Sequence, residues 1–222
     1  RGDSALWQLL YVQSKWKTYR DINADTTWQL PIAFFTEQGD KERLAKSYYY
    51  KGIVYYLQKN AQNALKSYLS ALTFIEDTND SAYIERISGA IGVIYYDNAA
   101  YLEAYPFYYR ALQIDAALKD TLGMTIQLAN IFYKFQIENR NMELLRLAKR
   151  NLFLAEHFSK GGVNMKELYN KRALAEFLNH HYNNAIYFAH KALQVNQDTS
   201  NVDFALSNNI LGSSYYKKGN IS

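Results

Sequence analysis

The chain has 222 residues, of which 49% are hydrophobic and only two are proline, so we expect a folded, mostly helical protein. Its 25 basic and 21 acidic residues are scattered without a basic run, so we expect no nucleic acid contact by this segment. The absence of cysteine excludes disulfides, cysteine-ligated zinc and thiol catalysis, and no apolar run approaches the ~20 residues that cross a bilayer.

The N-terminal part of the sequence predicts two helices that match the later repeats poorly. The first is expected over about 5–19, with Leu9 and Trp16 on its apolar face. The second begins after the turn chemistry near residue 25 and contains Trp28. Because terminal units of repeat proteins are atypical, residues 1–41 are expected to form a capping helical pair.

From residue 42 onwards the sequence repeats with a period of 40 residues. Gly52 and Tyr55 recur as Gly92 and Tyr95, and Ala64, Tyr68 and Ala71 recur as Ala104, Tyr108 and Ala111. Later copies carry Ala173, Ala185, Ala189, Ala192, Gly212 and Tyr215. Such a period is typical of helical-repeat solenoids. The expected units are 42–80, 81–120, 121–162 and 163–200, followed by a half repeat over 201–222.

The third unit departs most from the pattern. Its second helix keeps the period of 40, but its first helix has no glycine. Either Asn130 or Phe132 could therefore lie where its two helices cross, and the sequence leaves both open.

Small residues at the crossings, a tyrosine three positions after the glycine, and an Ala-x-x-x-Tyr-x-x-Ala second helix resemble the tetratricopeptide repeat. The resemblance covers the chain from about residue 44, although the family's standard repeat is about 34 residues long. It implies an all-α fold, a right-handed solenoid of antiparallel helix pairs. Long repeats of this kind resemble those of bacterial sensor and regulator proteins, including peptide-responsive ones.

By this resemblance, the first helix of each pair lines a concave groove that contacts a partner. The exposed groove residues would be Lys46, Tyr49, Tyr56, Arg86, Tyr96, Asp97, Asn170, Phe177, Asn209, Tyr216 and Lys217. The third unit contributes none because its register is open. Tyrosine rings and asparagine amides along one groove suit an extended peptide. Alternatively, several of these tyrosines pack between the repeats.

The sequence nominates no catalytic site. The four histidines, His157, His180, His181 and His190, do not have the spacing by which a helix presents metal ligands on one face. No glycine-rich phosphate loop is present either. We therefore expect no enzymatic activity, no cofactor and no metal.

The first hypothesis is a non-enzymatic protein- or peptide-binding module. Both chain ends look cut, so the module would be the sensing or scaffolding part of a longer bacterial regulator, and the cell envelope is favoured over the cytoplasm. The alternative is an envelope protein that binds carbohydrate or another small ligand. Homodimerisation through the end helices is a third possibility. No membrane span is expected in this segment.

Overall fold

The computed structural model describes residues 2–18, 28–158, 161–195 and 202–219, and their regular structure is entirely α-helical. The helices are α1 (Gly2–Lys17), α2 (Gln29–Gln38), α3 (Lys41–Leu57), α4 (Ala61–Ile75), α5 (Ser81–Asp97), α6 (Tyr101–Leu118), α7 (Thr121–Ile137), α8 (Asn141–Phe158), α9 (Met165–Leu178), α10 (Tyr182–Val195) and α11 (Val202–Lys217). Helices that are neighbours in the chain pack against each other in succession. The predicted all-α, solenoid-like fold is confirmed.

The chain divides into two compact units, Arg1–Ile114 and Asp115–Ser222, and the division falls inside α6. The buried side chains of α1 and α2, Leu9 and Phe35 among them, belong to one core with those of α3, α4 and α5. The capping pair is thus an integral part of the first unit.

Polar caps fix where the first helix of each pair begins. The carboxylates of Asp40, Asp80 and Asp120 accept hydrogen bonds from the backbone amides three residues later, over 3.0, 3.2 and 3.0 Å. Asn164 caps α9 in the same way over 3.3 Å. Such caps satisfy amides that have no partner inside the helix. Because three of the caps are 40 residues apart, the helix starts repeat with the sequence.

A left-handed residue lies in the turn between the two helices of each pair. These residues are Lys59, Ala99, Asn139 and His180, with φ angles of 61°, 57°, 53° and 62°. A left-handed residue after a helix lets the following amides bond back to its last carbonyls. Each helix is thereby closed within two residues, and the next one can return alongside it.

The crossing of each pair combines one small and one large side chain in the first two repeats. A Cβ atom added to Gly52 would lie 2.5 Å from the Tyr68 ring, and one added to Gly92 would lie 2.6 Å from the Tyr108 ring. Glycine is required at both positions because the ring occupies the space of a side chain.

The third pair reverses this arrangement and settles the register that the sequence left open. Phe132, on the first helix, is 1% exposed and shares a core cluster with Ala148 of the second helix. These positions follow Gly92 and Tyr108 by 40 residues. Phe132 is therefore the crossing residue, while Asn130 is half-buried and lines a small cavity beside Val163.

The two units build their cores differently. The first unit has one continuous cluster that extends from α1 to α5. The second has three smaller clusters, centred on Phe132, Ala173 and Leu168. In the described residues, no helix has the length and apolar character needed to cross a membrane.

Candidate functional site

A surface pocket of about 410 Å³ lies on the first helices of the pairs in the first unit. Its lining residues are Trp16 and Lys17 of α1, Tyr49 and Tyr50 of α3, and Arg86 of α5. We call it the aromatic–basic pocket. Two of the predicted groove residues, Tyr49 and Arg86, are brought together here from helices that are distant in sequence.

Tyrosines form the floor of the aromatic–basic pocket. The Tyr49 ring lies 5.3 Å from Tyr50, 5.8 Å from Tyr68 and 5.8 Å from Tyr83, measured between centroids. Burial raises the pKa of the Tyr49 hydroxyl to about 12, so this group stays protonated at neutral pH. Tyr49 therefore packs between repeats and lines the pocket as well.

Two cations lie over a single ring beside the pocket. The Lys46 ammonium is 4.6 Å from the centroid of Tyr83, and the Arg86 guanidinium is 5.3 Å from it. Lys46 also pairs with Glu42 at 2.5 Å and with Asp80 at 3.2 Å, so its charge is used within the protein. Arg86 is exposed and forms no ion pair with the described residues, which leaves its charge available to a ligand.

The C-terminal ends of α3 and α5 are linked by two other predicted groove residues. The Tyr56 hydroxyl donates a hydrogen bond to Oδ2 of Asp97 over 2.9 Å. Burial and this bond to a carboxylate raise the pKa of Tyr56. Tyr96 is half-buried and meets the Tyr101 ring edge-on at 5.2 Å. Tyr56 and Asp97 therefore form a polar bridge between successive first helices, and Asp97 remains exposed.

In the second unit, Asn170 does not have the position that the groove prediction gave it. Its side chain is 1% exposed. Its amide nitrogen donates to the Asp203 carbonyl over 3.1 Å, and its oxygen accepts from the Ser207 hydroxyl over 2.6 Å. Because all of its polar atoms face α11, Asn170 joins two helices and cannot line a groove. Sequence spacing placed it on the first helix of its pair but could not show which neighbour it faces.

The remaining predicted residues divide between packing and exposure. Phe177 is half-buried and lies 5.8 Å from the Tyr182 ring, within the core of its own helix pair. Asn209, Tyr216 and Lys217 are all exposed on α11, Tyr216 by 67%. These exposed residues still stand as groove predictions for the second unit, while Phe177 is mainly a packing residue.

The sequence reasoning missed the contribution of α1 to the pocket. Trp16 was placed on the apolar face of a capping helix, yet it is 39% exposed and lines the pocket with Lys17. Leu9 of the same predicted face is buried. The available signal was the basic residue next to Trp16, which is typical of a half-exposed binding position.

The end helices carry exposed apolar side chains. On α1 these are Trp7, Leu10 and Tyr11, and the Trp7 and Tyr11 rings stack at 5.0 Å. On α11 they include Val202. Self-association through these helices stays a prediction.

Ionisable side chains with altered pKa values are buried in the second unit. Burial raises the pKa of Asp115 to about 6, with a further contribution from Asp120. For Glu176, burial alone would raise the pKa, but hydrogen bonds from His181 and Arg172 hold it below the usual value. Within the described ranges, no three His, Cys, Asp or Glu side chains lie together in a way that could hold a metal ion.

The chain is similar in structure to a protein described as BtubC (BKLC) from P. vanneervenii. The TM-score is 0.62 over 86% of this chain and 88% of that one, at 11% sequence identity. At this identity the likeness concerns the fold alone. No protein-family model and no curated protein sequence matches the chain.

Proposed function

We propose that this chain is a non-enzymatic module of the tetratricopeptide type that binds an extended segment of a protein partner. The observation that carries the proposal is the aromatic–basic pocket, in which α1, α3 and α5 contribute rings and cations to one surface. These are first helices of successive pairs, the helices that such modules present to their ligands.

The chemistry of the pocket favours a peptide with a carboxylate beside an aromatic or aliphatic side chain. Lys17 and Arg86 supply two positive charges, and none of the described lining residues is acidic. Arginine binds carboxylates by paired, charge-assisted hydrogen bonds. Trp16 and Tyr49 offer apolar ring surface of the kind that anchors protein interfaces.

The biological setting follows from the resemblance of the long repeats to bacterial sensors and regulators. The module would act as the sensing or scaffolding part of a longer protein of the cell envelope. Binding of a peptide across several first helices would fix the geometry of the successive pairs, since each pair contacts only its neighbours.

Selection of peptides on the immobilised protein tests the proposal. We expect a displayed library of random peptides to yield sequences that share an acidic residue next to an apolar one. Synthetic copies should bind in calorimetry with a dissociation constant in the micromolar range, which is common for peptide modules (roughly −8 kcal/mol). Failure to enrich any peptide would contradict the proposal.

Two substitutions locate the binding site. Trp16→Ala and Arg86→Gln change exposed side chains that lie outside the buried core, so both variants should stay folded. Each substitution should raise the dissociation constant of the selected peptide by about tenfold, which is the typical effect of losing a charge-assisted hydrogen bond or an aromatic anchor. Arg150→Gln, at an exposed arginine of α8, is the matched control and should leave the affinity unchanged. Equal affinity in all three variants would place the site elsewhere.

Carbohydrate binding is the alternative, since an exposed tryptophan beside a tyrosine can also stack on a sugar ring. Calorimetry with a panel of oligosaccharides distinguishes the two. Saturable heat with sugars and none with the selected peptides would reverse the order of the two proposals.

A further inference from the structure

A second cavity of about 410 Å³ lies in the second unit, at the turn that joins α9 to α10. Besides Tyr182, its lining residues are Lys149, His180, His181, Asn183, Asn184 and Lys218. None of the described residues that line it is an aspartate or a glutamate. The cavity therefore combines positive charge with hydrogen-bond donors and lacks a carboxylate of its own that would repel an anion.

The two lysines of this cavity lack the kind of carboxylate partner that Lys166 of the same unit has. Lys166 pairs with Asp203 at 3.0 Å. Lys149 and Lys218 are both exposed and have no ion pair within the part of the chain that the structure describes. Neither charge is therefore held in a salt bridge, and both are available to an anion in the cavity.

The carboxylate behind the cavity is already neutralised. Glu176 is fully buried, with Oε2 at 2.7 Å from Nδ1 of His181 and Oε1 at 2.8 Å from Nε of Arg172. Because these two partners engage both oxygens of Glu176, the carboxylate forms no salt bridge with Lys149, and its remaining effect on that lysine is Coulombic.

The histidines are oriented by contacts on their inner nitrogens. Nδ1 of His180 lies 3.0 Å from the Tyr182 hydroxyl, and Nδ1 of His181 faces Glu176. When Nδ1 of His180 accepts a hydrogen bond from the Tyr182 hydroxyl, its Nε2 carries a hydrogen that can be donated to a ligand. Because Nδ1 of His181 is engaged with Glu176, its other ring nitrogen, Nε2, is the one left for a ligand.

We propose that this cavity binds the phosphate group of a phosphorylated ligand. A phosphate monoester has three terminal oxygens and a charge of about −2 at neutral pH, which matches two lysines and several further donors. A carboxylate, with two oxygens and one charge, would leave part of the set unused. The volume lies within the ~300–1,000 Å³ that is typical of small-molecule sites, so the remainder of the ligand also has room.

Calorimetry at constant ionic strength tests the proposal with three probes: O-phosphoserine, inorganic phosphate and serine. We expect saturable binding of O-phosphoserine in the millimolar range or tighter, and none of serine. Binding of inorganic phosphate as tightly as O-phosphoserine would support the phosphate contact and assign it to the free ion. Absence of saturable heat with both phosphate probes would overturn the proposal.

Substitution of the two lysines places the binding in this cavity. Lys149→Gln and Lys218→Gln should each raise the dissociation constant of O-phosphoserine by about tenfold, because each removes one charge-assisted hydrogen bond. Lys66→Gln, at an exposed lysine of α4 in the first unit, is the charge-matched control and should have no effect. Circular dichroism of each variant checks that the fold is intact. Equal affinity in all three variants would overturn the assignment.

Discussion

The first unit and the third helix pair, which lies in the second unit, place the large side chain of a crossing on opposite helices. In the first unit the first helix of a pair carries glycine and the second carries tyrosine, as in Gly52 and Tyr68. In the third pair the large side chain is on the first helix, with Phe132 and Ala148 at the equivalent positions. The period therefore determines where the helices cross, while either helix of a pair can provide the large side chain.

The units also differ in the polar groups that they bury. Among the described residues, the buried polar side chains of the first unit are all serines, such as Ser47. The second unit buries Asp115, Lys171 and Glu176, all of which can ionise. In the second unit, charged side chains therefore lie between the small apolar clusters of the core. We expect its free energy of unfolding to depend on ion pairs and on pH more strongly than that of the first unit.

Breaking the Glu176 network should have the largest effect on the second unit. Glu176→Gln leaves Arg172 without its buried partner and should lower the free energy of unfolding by about 3 kcal/mol in urea denaturation at pH 7. The pKa of Glu176 is lowered in the folded state, so its stabilisation is present above its ordinary pKa of 4.5 and is lost as the pH falls through the folded value. The variant should therefore lose less stability on acidification than the native chain. The surface carboxylate variant Glu143→Gln should change little, and an equal loss there would contradict this prediction.

The packing difference can be tested at Gly52. Gly52→Ala would bring a methyl group to 2.5 Å from the buried Tyr68 ring and should cost about 2 kcal/mol. Gly212→Ala is the matched control, since no atom lies within 4 Å of its added Cβ atom. The control should gain about 0.5 kcal/mol because alanine is the better helix former. Urea denaturation of the two variants measures both, and similar changes would refute the close crossing.

The exchange of large and small residues can be imitated in the second pair. Gly92→Phe alone should be strongly destabilising, because the Tyr108 ring already occupies that space. Adding Tyr108→Ala reproduces the arrangement of Phe132 and Ala148. In a double-mutant cycle, the second substitution should restore about 1.5 kcal/mol relative to additivity. Strict additivity of the two changes would argue against reciprocal packing.

Substitution of Asp115, in the second unit, should increase the free energy of unfolding. Its pKa is raised to about 6, above the ordinary 3.8, so its contribution to the free energy of unfolding declines as the pH rises through this interval. Asp115→Asn should stabilise the chain by about 1 kcal/mol at pH 7, after allowance for burying the amide. The gain should shrink towards pH 4, as thermal unfolding at several pH values would show. A gain that is independent of pH would contradict the altered pKa.

The smallest effect is expected at the polar bridge of the first unit. Tyr56→Phe removes the hydrogen bond to Asp97 and should lower the free energy of unfolding by about 0.5 kcal/mol, the value for a partly exposed bond. Chemical denaturation with precise replicates measures this. A loss as large as that of Glu176→Gln would mean that the first unit also depends on polar contacts.

Much of the fold could be predicted because its signals are local. The cap residues Asp40, Asp80 and Asp120 recur with the sequence period, and helix pairs begin directly after each. The resemblance to the tetratricopeptide repeat implied that Tyr49 and Arg86 share one groove, and both line the aromatic–basic pocket. Trp16 and Lys17 could not be joined to them, since no repeat relates α1 to α3.

The sequence by itself determined the all-α class, the positions of the helix pairs and the glycines at which two of them cross. These follow from periodicity and from capping, which act over a few residues. Only the tertiary structure decided that Phe132 is the crossing residue of the third pair, that Asn170 is buried against α11, and that α1 completes the pocket. Each of these depends on which helix packs against a given helix face. A sequence period predicts which residues share a face, but it does not predict which helix that face contacts.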